Sequence, residues 1–257
     1  MLVLSLDSAT QECAVGVGVW PDDGTGAATV LGETNVAVPR AALTHLVPMI
    51  SRLLDECGHG VGELGAVVVG RGPGSFTGVR IGVSTAKGIA QGLGVPLWGV
   101  STADAVAERL AGRDGLVGVV GDAMRKEVYP ALFECGTGVI ERLEADAVGK
   151  PEDVAARWAS ETTGRIALVG EGLAKYAQAF ADALGDRAEI LPEALWRPTG
   201  SSLLQAAWRV GAPSQGGSPA LVLPVYTRLS DAEEAEAARQ GDAPVPPTGV
   251  AGPGEGR

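Results

Sequence analysis

The sequence predicts an α/β protein of two similarly built lobes, each a mixed sheet with an antiparallel meander flanked by helices. Two observations carry this. Short β-rich runs separated by turn residues lead into alternating helix and strand patterns, and the same order then starts again further along the chain. The chain has 257 residues with 46% hydrophobic and 20% charged content, enough to bury the core of one large or two small domains. The expected boundaries are residues 1–110 and 111–228 for the lobes and 229–257 for a tail.

In the first lobe, Leu2 to Leu6, Cys13 to Trp20 and Ala28 to Val38 are β-rich and are separated by DSATQE and PDDGTG, which predicts a meander. Leu43, Leu46, Ile50, Leu53, Leu54 and Cys57 then recur at spacings of three and four. That is a helix, with Gly58 as its C-terminal cap, Thr44 as N-cap and Pro48 near the first turn. Its opposite stripe, His45, Met49, Arg52 and Glu56, is either a solvated face or a contact surface, since Met suits interfaces. Leu64 to Val69 is a strand, a glycine loop and helix run to about Gly92, Val95 to Val100 is a strand, and Ser101 or Thr102 caps a helix through Leu110. In the second lobe, Leu116 to Gly121 and Glu127 to Phe133 are paired strands, Pro151 to Ala159 a helix and Ile166 to Gly170 a strand. Leu173 to Leu184 and Ser201 to Gly211 are the last helices.

Composition excludes several classes. Cys13, Cys57 and Cys135 are far apart and odd in number, and the only histidines are His45 and His59, so neither a disulfide framework nor a Cys/His metal cluster is expected. No apolar run approaches the roughly 20 residues of a membrane span. The N-terminus lacks a basic region and a cleavage pattern, so it is read as a first strand in a cytoplasmic protein. A net charge of -11 opposes unassisted binding to a polyanion. Residues 64–103 carry Arg71, Arg80 and Lys87 and no acid, whereas Leu229 to Arg257 holds six acids, two arginines and a Pro/Gly-rich end, the composition of a disordered tail.

The most informative stretch is GRGPGSFTGVRIGVSTAKGIAQGLG, Gly70 to Gly94. Gly70, Gly72 and Gly74 give backbone freedom, Pro73 fixes one turn position, and Ser75 or Thr77 caps the helix. Exposed N–H groups at a helix start beside Arg71 and Arg80 make Gly72, Gly74, Ser75, Thr77 and Arg80 a candidate anion site. The alternative is a purely structural turn, because the loop is neither a Walker A nor a strict GxGxxG. Within the helix, Gly78, Gly82, Ala86 and Ala90 fall four residues apart on one nearly flat face, flanked by Thr85 and Ile89. Interior glycines cost about 1 kcal/mol each relative to Ala, so something packs closely here. It is either the protein's own sheet or a partner helix, with Arg80, Lys87 and Gln91 setting register.

LSLDSATQECAVGV, THLVPMISRLLDECG, VVVGRGPGSFTGVRIGVSTAKGIAQGLGVPLWGVST, VVGDAMRKEVYPALFE and PVYTRLSDAEE together resemble the TsaB (YeaZ) family, dimerisation subunits of the bacterial tRNA threonylcarbamoyladenosine complex. The resemblance covers most of residues 1–230. It implies an actin/Hsp70-like (ASKHA) fold and a chain that binds the catalytic paralogue TsaD, works with the ATPase TsaE and meets tRNA only through the complex. A surface made for a paralogue can also pair with itself about a two-fold axis, so a homodimer is expected when the paralogue is absent. No metal and no cofactor are expected, residual nucleotide binding at the complex staying open. The family's dimer contact corresponds here to about Thr44 to Cys57 and Thr77 to Gly92, so His45, Met49, Arg52, Gly78, Gly82, Thr85, Ala86, Ile89 and Ala90 are the expected interface.

No catalytic residue is expected. The resemblance places Thr102 and Val106 where the catalytic paralogue has its H-x-x-x-H metal pair, and Ala123 where an actin-like phosphate loop has glycine. Asp7 and Ser8 remain as a degenerate nucleotide-site remnant, and Gly170 to Gly172 is either a remnant adenosine-site turn or, the favoured reading, a helix-starting turn. Two other readings are an ATP-dependent enzyme such as a small kinase, resting on Asp7, the glycine loop and the two-lobed pattern, and a peptidase, for which no HExxH or GxSxG motif stands in the sequence.

Overall fold

Buried strands with helices on both faces read as near-continuous apolar runs, and LVLSLD and AVVVG are of that kind. A computed structural model describes residues 1–21, 27–37, 42–212 and 217–227. The expected tail at 229–257 and the end of the third expected strand, Val38, lie outside the described residues.

The first sheet contains β1 (Leu2–Asp7), β2 (Glu12–Val19), β3 (Thr29–Ala37), β4 (Ala66–Gly70) and β5 (Leu97–Val100), in the order β3-β2-β1-β4-β5. β1, β2 and β3 form the antiparallel meander, and β4 and β5 join parallel to β1. The second sheet contains β6 (Gly115–Asp122), β7 (Val128–Gly136), β8 (Val139–Arg142), β9 (Ile166–Val169) and β10 (Ala188–Ile190). Its order is β10-β9-β6-β7-β8, again a meander with two strands parallel to its first. The repeated order is that of the actin/Hsp70-like two-lobed fold. β8 and β10 were not expected from the sequence. Each is a short edge strand of four or three residues with too few apolar positions to show a period.

Outer helices cover one face of each sheet. α1 (Ala42–Glu56) and α2 (Phe76–Leu93) bring Leu46, Ile50, Leu53, Val79 and Val83 onto Leu4, Leu6, Val15 and Val17. α4 (Pro151–Glu161) and α5 (Leu173–Leu184) bring Val154, Trp158, Phe180 and Leu184 onto Ile166 and Leu168. The expected start of α1 needs correction. The helix is already formed at Ala42, so Thr44 is not its cap and Pro48 sits inside it, the apolar face of the following turns holding the helix together.

The other face of each sheet is covered by a helix from the other half of the chain. α3 (Thr102–Glu108) packs Ala103, Val106 and Ala107 against Val117, Val119 and Phe133 of the second sheet. α6 (Gly200–Arg209) packs Leu203, Leu204 and Ala207 against Val3, Ala14 and Val68 of the first. A simple cut into 1–110 and 111–228 is therefore corrected. The first segment donates α3, and the second donates α6 and residues 217–227, of which Val222 belongs to the first core. The Arg209 guanidinium clasps the buried Glu108 carboxylate through Nε at 2.8 Å and Nη2 at 2.7 Å, tying α6 to α3. α6 comes close to β2 because Gly16 and Gly200 meet without side chains: a Cβ on Gly16 would lie 2.6 Å from the Gly200 carbonyl carbon. Ser5 Oγ seals the contact by donating to the Gly200 carbonyl at 2.7 Å. Among the described residues, no helix is long and apolar enough to cross a membrane.

Candidate functional site: the cleft and the outer helix face

The cleft between the lobes is lined by Ala9, Pro73, Thr102, Gly121, Tyr129 and Glu171, among others. It encloses about 40 Å³, against ~300–1,000 Å³ for an ordinary small-molecule site. Asp7 ends β1 behind the lining residues Ala9 and Thr102 and is completely buried. Its Oδ1 accepts the Ala9 N–H at 2.6 Å and its Oδ2 accepts the Thr102 hydroxyl at 2.7 Å. Gly70 lies so close that a Cβ there would overlap Oδ2. Burial pushes the Asp7 carboxyl up to about 6; the bonds from Ala9 and Thr102 oppose this, and the negative Glu171 adds to it. Ser8, also buried, donates its hydroxyl to the Gly78 carbonyl at 2.8 Å. Val106, one turn along α3 from Thr102, belongs to the core of the second lobe and also lines the cleft.

Across the cleft, Asp122 is engaged by Lys175 and accepts the Met124 N–H at 3.0 Å. Ala123 is buried, and the exposed Met124, Arg125 and Lys126 all have positive φ (59°, 46° and 66°). Gly170 and Gly172 press on the Val120 carbonyl and lead into α5, the expected turn. Both oxygens of the buried Asp7 are thus used within the chain, whereas Asp122 lines the cleft with the half-exposed Lys175 on its Oδ2. Among the described residues, no group of three His, Cys, Asp or Glu side chains is placed to hold a metal.

The candidate anion loop is largely occupied by the protein itself. The peptide bond Gly72–Pro73 is cis, and the Gly72 carbonyl accepts the Thr102 N–H at 2.8 Å. Ser75 is the cap of α2, its hydroxyl accepting the Gly78 N–H at 3.3 Å, and its own N–H goes to the Ala9 carbonyl at 2.7 Å. A Cβ on Gly74 would overlap the same carbonyl. Thr77 is exposed. Arg80 is engaged within the chain: its guanidinium carbon stands 3.7 Å from the centre of the Phe76 ring, and Nε donates to the Tyr226 hydroxyl at 2.8 Å.

The small face of α2 calls for a correction. Gly78, Gly82, Ala86 and Ala90 are all buried within the chain. A Cβ on Gly78 would overlap the Ser8 carbonyl, and one on Gly82 would lie 2.7 Å from Ser8 Oγ, so the stripe is bare because β1 and the loop after it press against it. These four residues are not open to a partner. The other expected interface residues do face outward to some degree. His45 and Arg52 are exposed, Arg52 pairing with Glu56 at 2.8 Å, and Met49, Thr85 and Ile89 are half-buried. The sequence reading missed a second bare row on the outside of α2. Gly88 and Gly92 are exposed, a Cβ on either would meet nothing within 4 Å, and Ser84 beside them is exposed too. The signal was available: α2 holds four glycines, and only two of them fit the inward stripe.

The fold and this cleft define an actin/Hsp70-like two-lobed protein. The family model described as "TsaD: tRNA N6-adenosine threonylcarbamoyltransferase" matches residues 37–236. The tRNA threonylcarbamoyladenosine biosynthesis protein TsaB of Escherichia coli is 32% identical over 232 residues, covering 89% of this chain and 95% of its own. The TsaB protein of Bacillus subtilis is 28% identical over 236 residues, 91% and 96% of the two chains. The structure of YeaZ from Pseudomonas aeruginosa superposes with a TM-score of 0.71 at 29% identity, covering 88% of this chain and 99% of that one. The chain belongs to the TsaB (YeaZ) family, within the broader TsaD group, and so to the proteins of tRNA threonylcarbamoyladenosine biosynthesis.

Proposed function

We propose that this chain is a non-catalytic dimerisation subunit that binds a TsaD-type catalytic paralogue and supports threonylcarbamoyl transfer to the adenosine next to the anticodon. The contact surface is the outside of α1 and α2. The observation that carries it is the outward row Ser84, Gly88 and Gly92, flanked by the half-buried Ile81, Thr85 and Ile89. Glycines in a helix interior that touch nothing in their own chain carry a cost of about 1 kcal/mol each, which close packing of another helix offsets. Val47 on α1, 57% exposed, extends the apolar part of this face, and Met49 supplies an adaptable side chain beside it.

The cleft supports the non-catalytic half of the reading. Asp7 is committed to Thr102, Asp122 to Lys175, and no imidazole lines the site. TsaE-type ATPase and tRNA join through the assembly in the cytoplasm. In the absence of the paralogue the same face pairs two copies of this chain about a two-fold axis.

The test is Gly88→Trp. In the full chain it leaves the core untouched, so the variant folds with an unchanged circular dichroism spectrum. Titration with the TsaD-type paralogue then shows affinity reduced by about a hundredfold or more, and threonylcarbamoylation of tRNA by the reconstituted proteins falls with it. Unchanged affinity would refute the interface. Retained transfer activity without this chain would refute the role.

A further inference from the structure

A second recess lies where the first sheet meets the crossover from β10 to α6, separated from the cleft by the Arg197–Glu171 ion pair. It has a volume of about 450 Å³, within the ~300–1,000 Å³ range of small-molecule sites. Glu12 opens β2, Glu33 and Asn35 stand two residues apart on β3, Arg109 follows α3, and Ala194, Arg197 and Thr199 lie on the crossover.

The walls are fixed by bonds that leave particular atoms over. Arg197 is paired with carboxylates on three sides: Nε reaches Glu171 at 2.6 Å, Nη2 reaches Glu193 at 2.9 Å and Nη1 lies 3.5 Å from Glu12. Arg109 is different. Its Nη1 donates to the backbone carbonyls of Ala194 and, at 3.0 Å, Arg197, and among the described residues no carboxylate comes within ion-pair distance of it. Burial depresses its basicity, while the fields of Glu33 and Glu12 hold it up. Glu33 uses Oε2 to accept the Ser201 N–H at 2.8 Å, and Asn35 uses Nδ2 to reach the Pro198 carbonyl at 2.9 Å. The recess thus presents an unpaired guanidinium edge, the remaining oxygens of two carboxylates and an amide carbonyl.

We propose that this recess binds a small zwitterion of the α-amino acid class. The carboxylate sits on the free edge of Arg109, where the planar fork suits bidentate pairing, and the ammonium group is held by Glu33 and Glu12. A lone anion would face both glutamates and a lone cation would face Arg109, so each singly charged ligand meets one repulsive wall. A zwitterion meets none. Because the walls come from both halves of the chain, the ligand bridges the first sheet and the crossover and stabilises their contact.

Calorimetric and thermal-shift titrations of the full chain with the proteinogenic α-amino acids, tested singly, read this out alongside acetate and methylamine. At least one amino acid binds saturably and raises the melting temperature, and acetate and methylamine bind at least about tenfold more weakly. Arg109→Gln and Glu33→Gln each weaken the amino acid by at least about tenfold, the loss expected for one charge-assisted contact. Glu33→Gln keeps an oxygen for the Ser201 N–H, so it serves where Arg109→Gln disturbs the crossover. Binding of no amino acid, equal binding of acetate, or undiminished binding in Glu33→Gln overturns the proposal. None of these readouts involves the outer face of α2.

Discussion

The hydroxyl of Thr102, at the first residue of α3, donates at 2.7 Å to Oδ2 of Asp7, at the last residue of β1. A threonine in this place ties a carboxylate buried behind the cleft lining into the internal structure. It does so at a cost, because burial raises the Asp7 carboxyl from 3.8 to about 6.

The pH dependence follows from that direction. Between about pH 4 and pH 6 the folded protein holds a proton at Asp7 that the unfolded chain has lost, so stability falls as pH rises through this window. The fall amounts to about 3 kcal/mol as an order of magnitude. Asp7→Asn removes it while retaining an oxygen for the Ala9 N–H. Denaturant melts at pH 4 and pH 7 are expected to show the variant gaining on the parent at pH 7 and losing that advantage at pH 4. Equal shifts at both values would show that Asp7 does not titrate in this window.

Glycines of α2 separate by face. Gly78→Ala drives a methyl group into the Ser8 carbonyl and is expected to destabilise the chain by about 3 kcal/mol or more. Gly88→Ala meets open space and is expected to stabilise the isolated chain by about 0.5–1 kcal/mol. Thermal melts of the two variants check both signs, and similar losses in both would place Gly88 inside the core.

The clasp between Arg209 and Glu108 joins the exchanged helices. Glu108 is only 8% exposed, so Arg209→Ala leaves a buried carboxylate without its partner and is expected to cost about 2–4 kcal/mol. Adding Glu108→Gln is expected to recover a large part of that loss. A double-mutant cycle from chemical denaturation measures the coupling, and strictly additive losses would show that the pair is not coupled.

Much of this architecture was legible in the sequence because its signals are local. The meander, the strand before the glycine loop and α5, Leu173–Leu184, follow from turn residues and apolar period. The cap at Ser75 was one of two positions that the loop chemistry allowed. What stayed hidden depends on contacts between distant residues. A bare stripe such as Gly78 and Gly82 looks the same whether a partner or Ser8 presses on it, and only the path of the chain after β1 decides. Arg80 was read with the loop beside it, yet its side chain is claimed by Tyr226, 146 residues away. The commitment of Asp7 to Thr102 likewise spans 95 residues, and no periodicity connects them. The recess around Arg109 draws on four separate segments and left no pattern at all.

The crossing of α3 and α6 makes the two repeats inseparable by cutting. A nick in the turn at 111–114 would yield two polypeptides, each lacking the helix that shields one side of its sheet and each carrying the helix that the other needs. Such halves would be insoluble when made singly and would assemble when made together. The chain therefore inherits as one cooperative unit what its strand order writes twice.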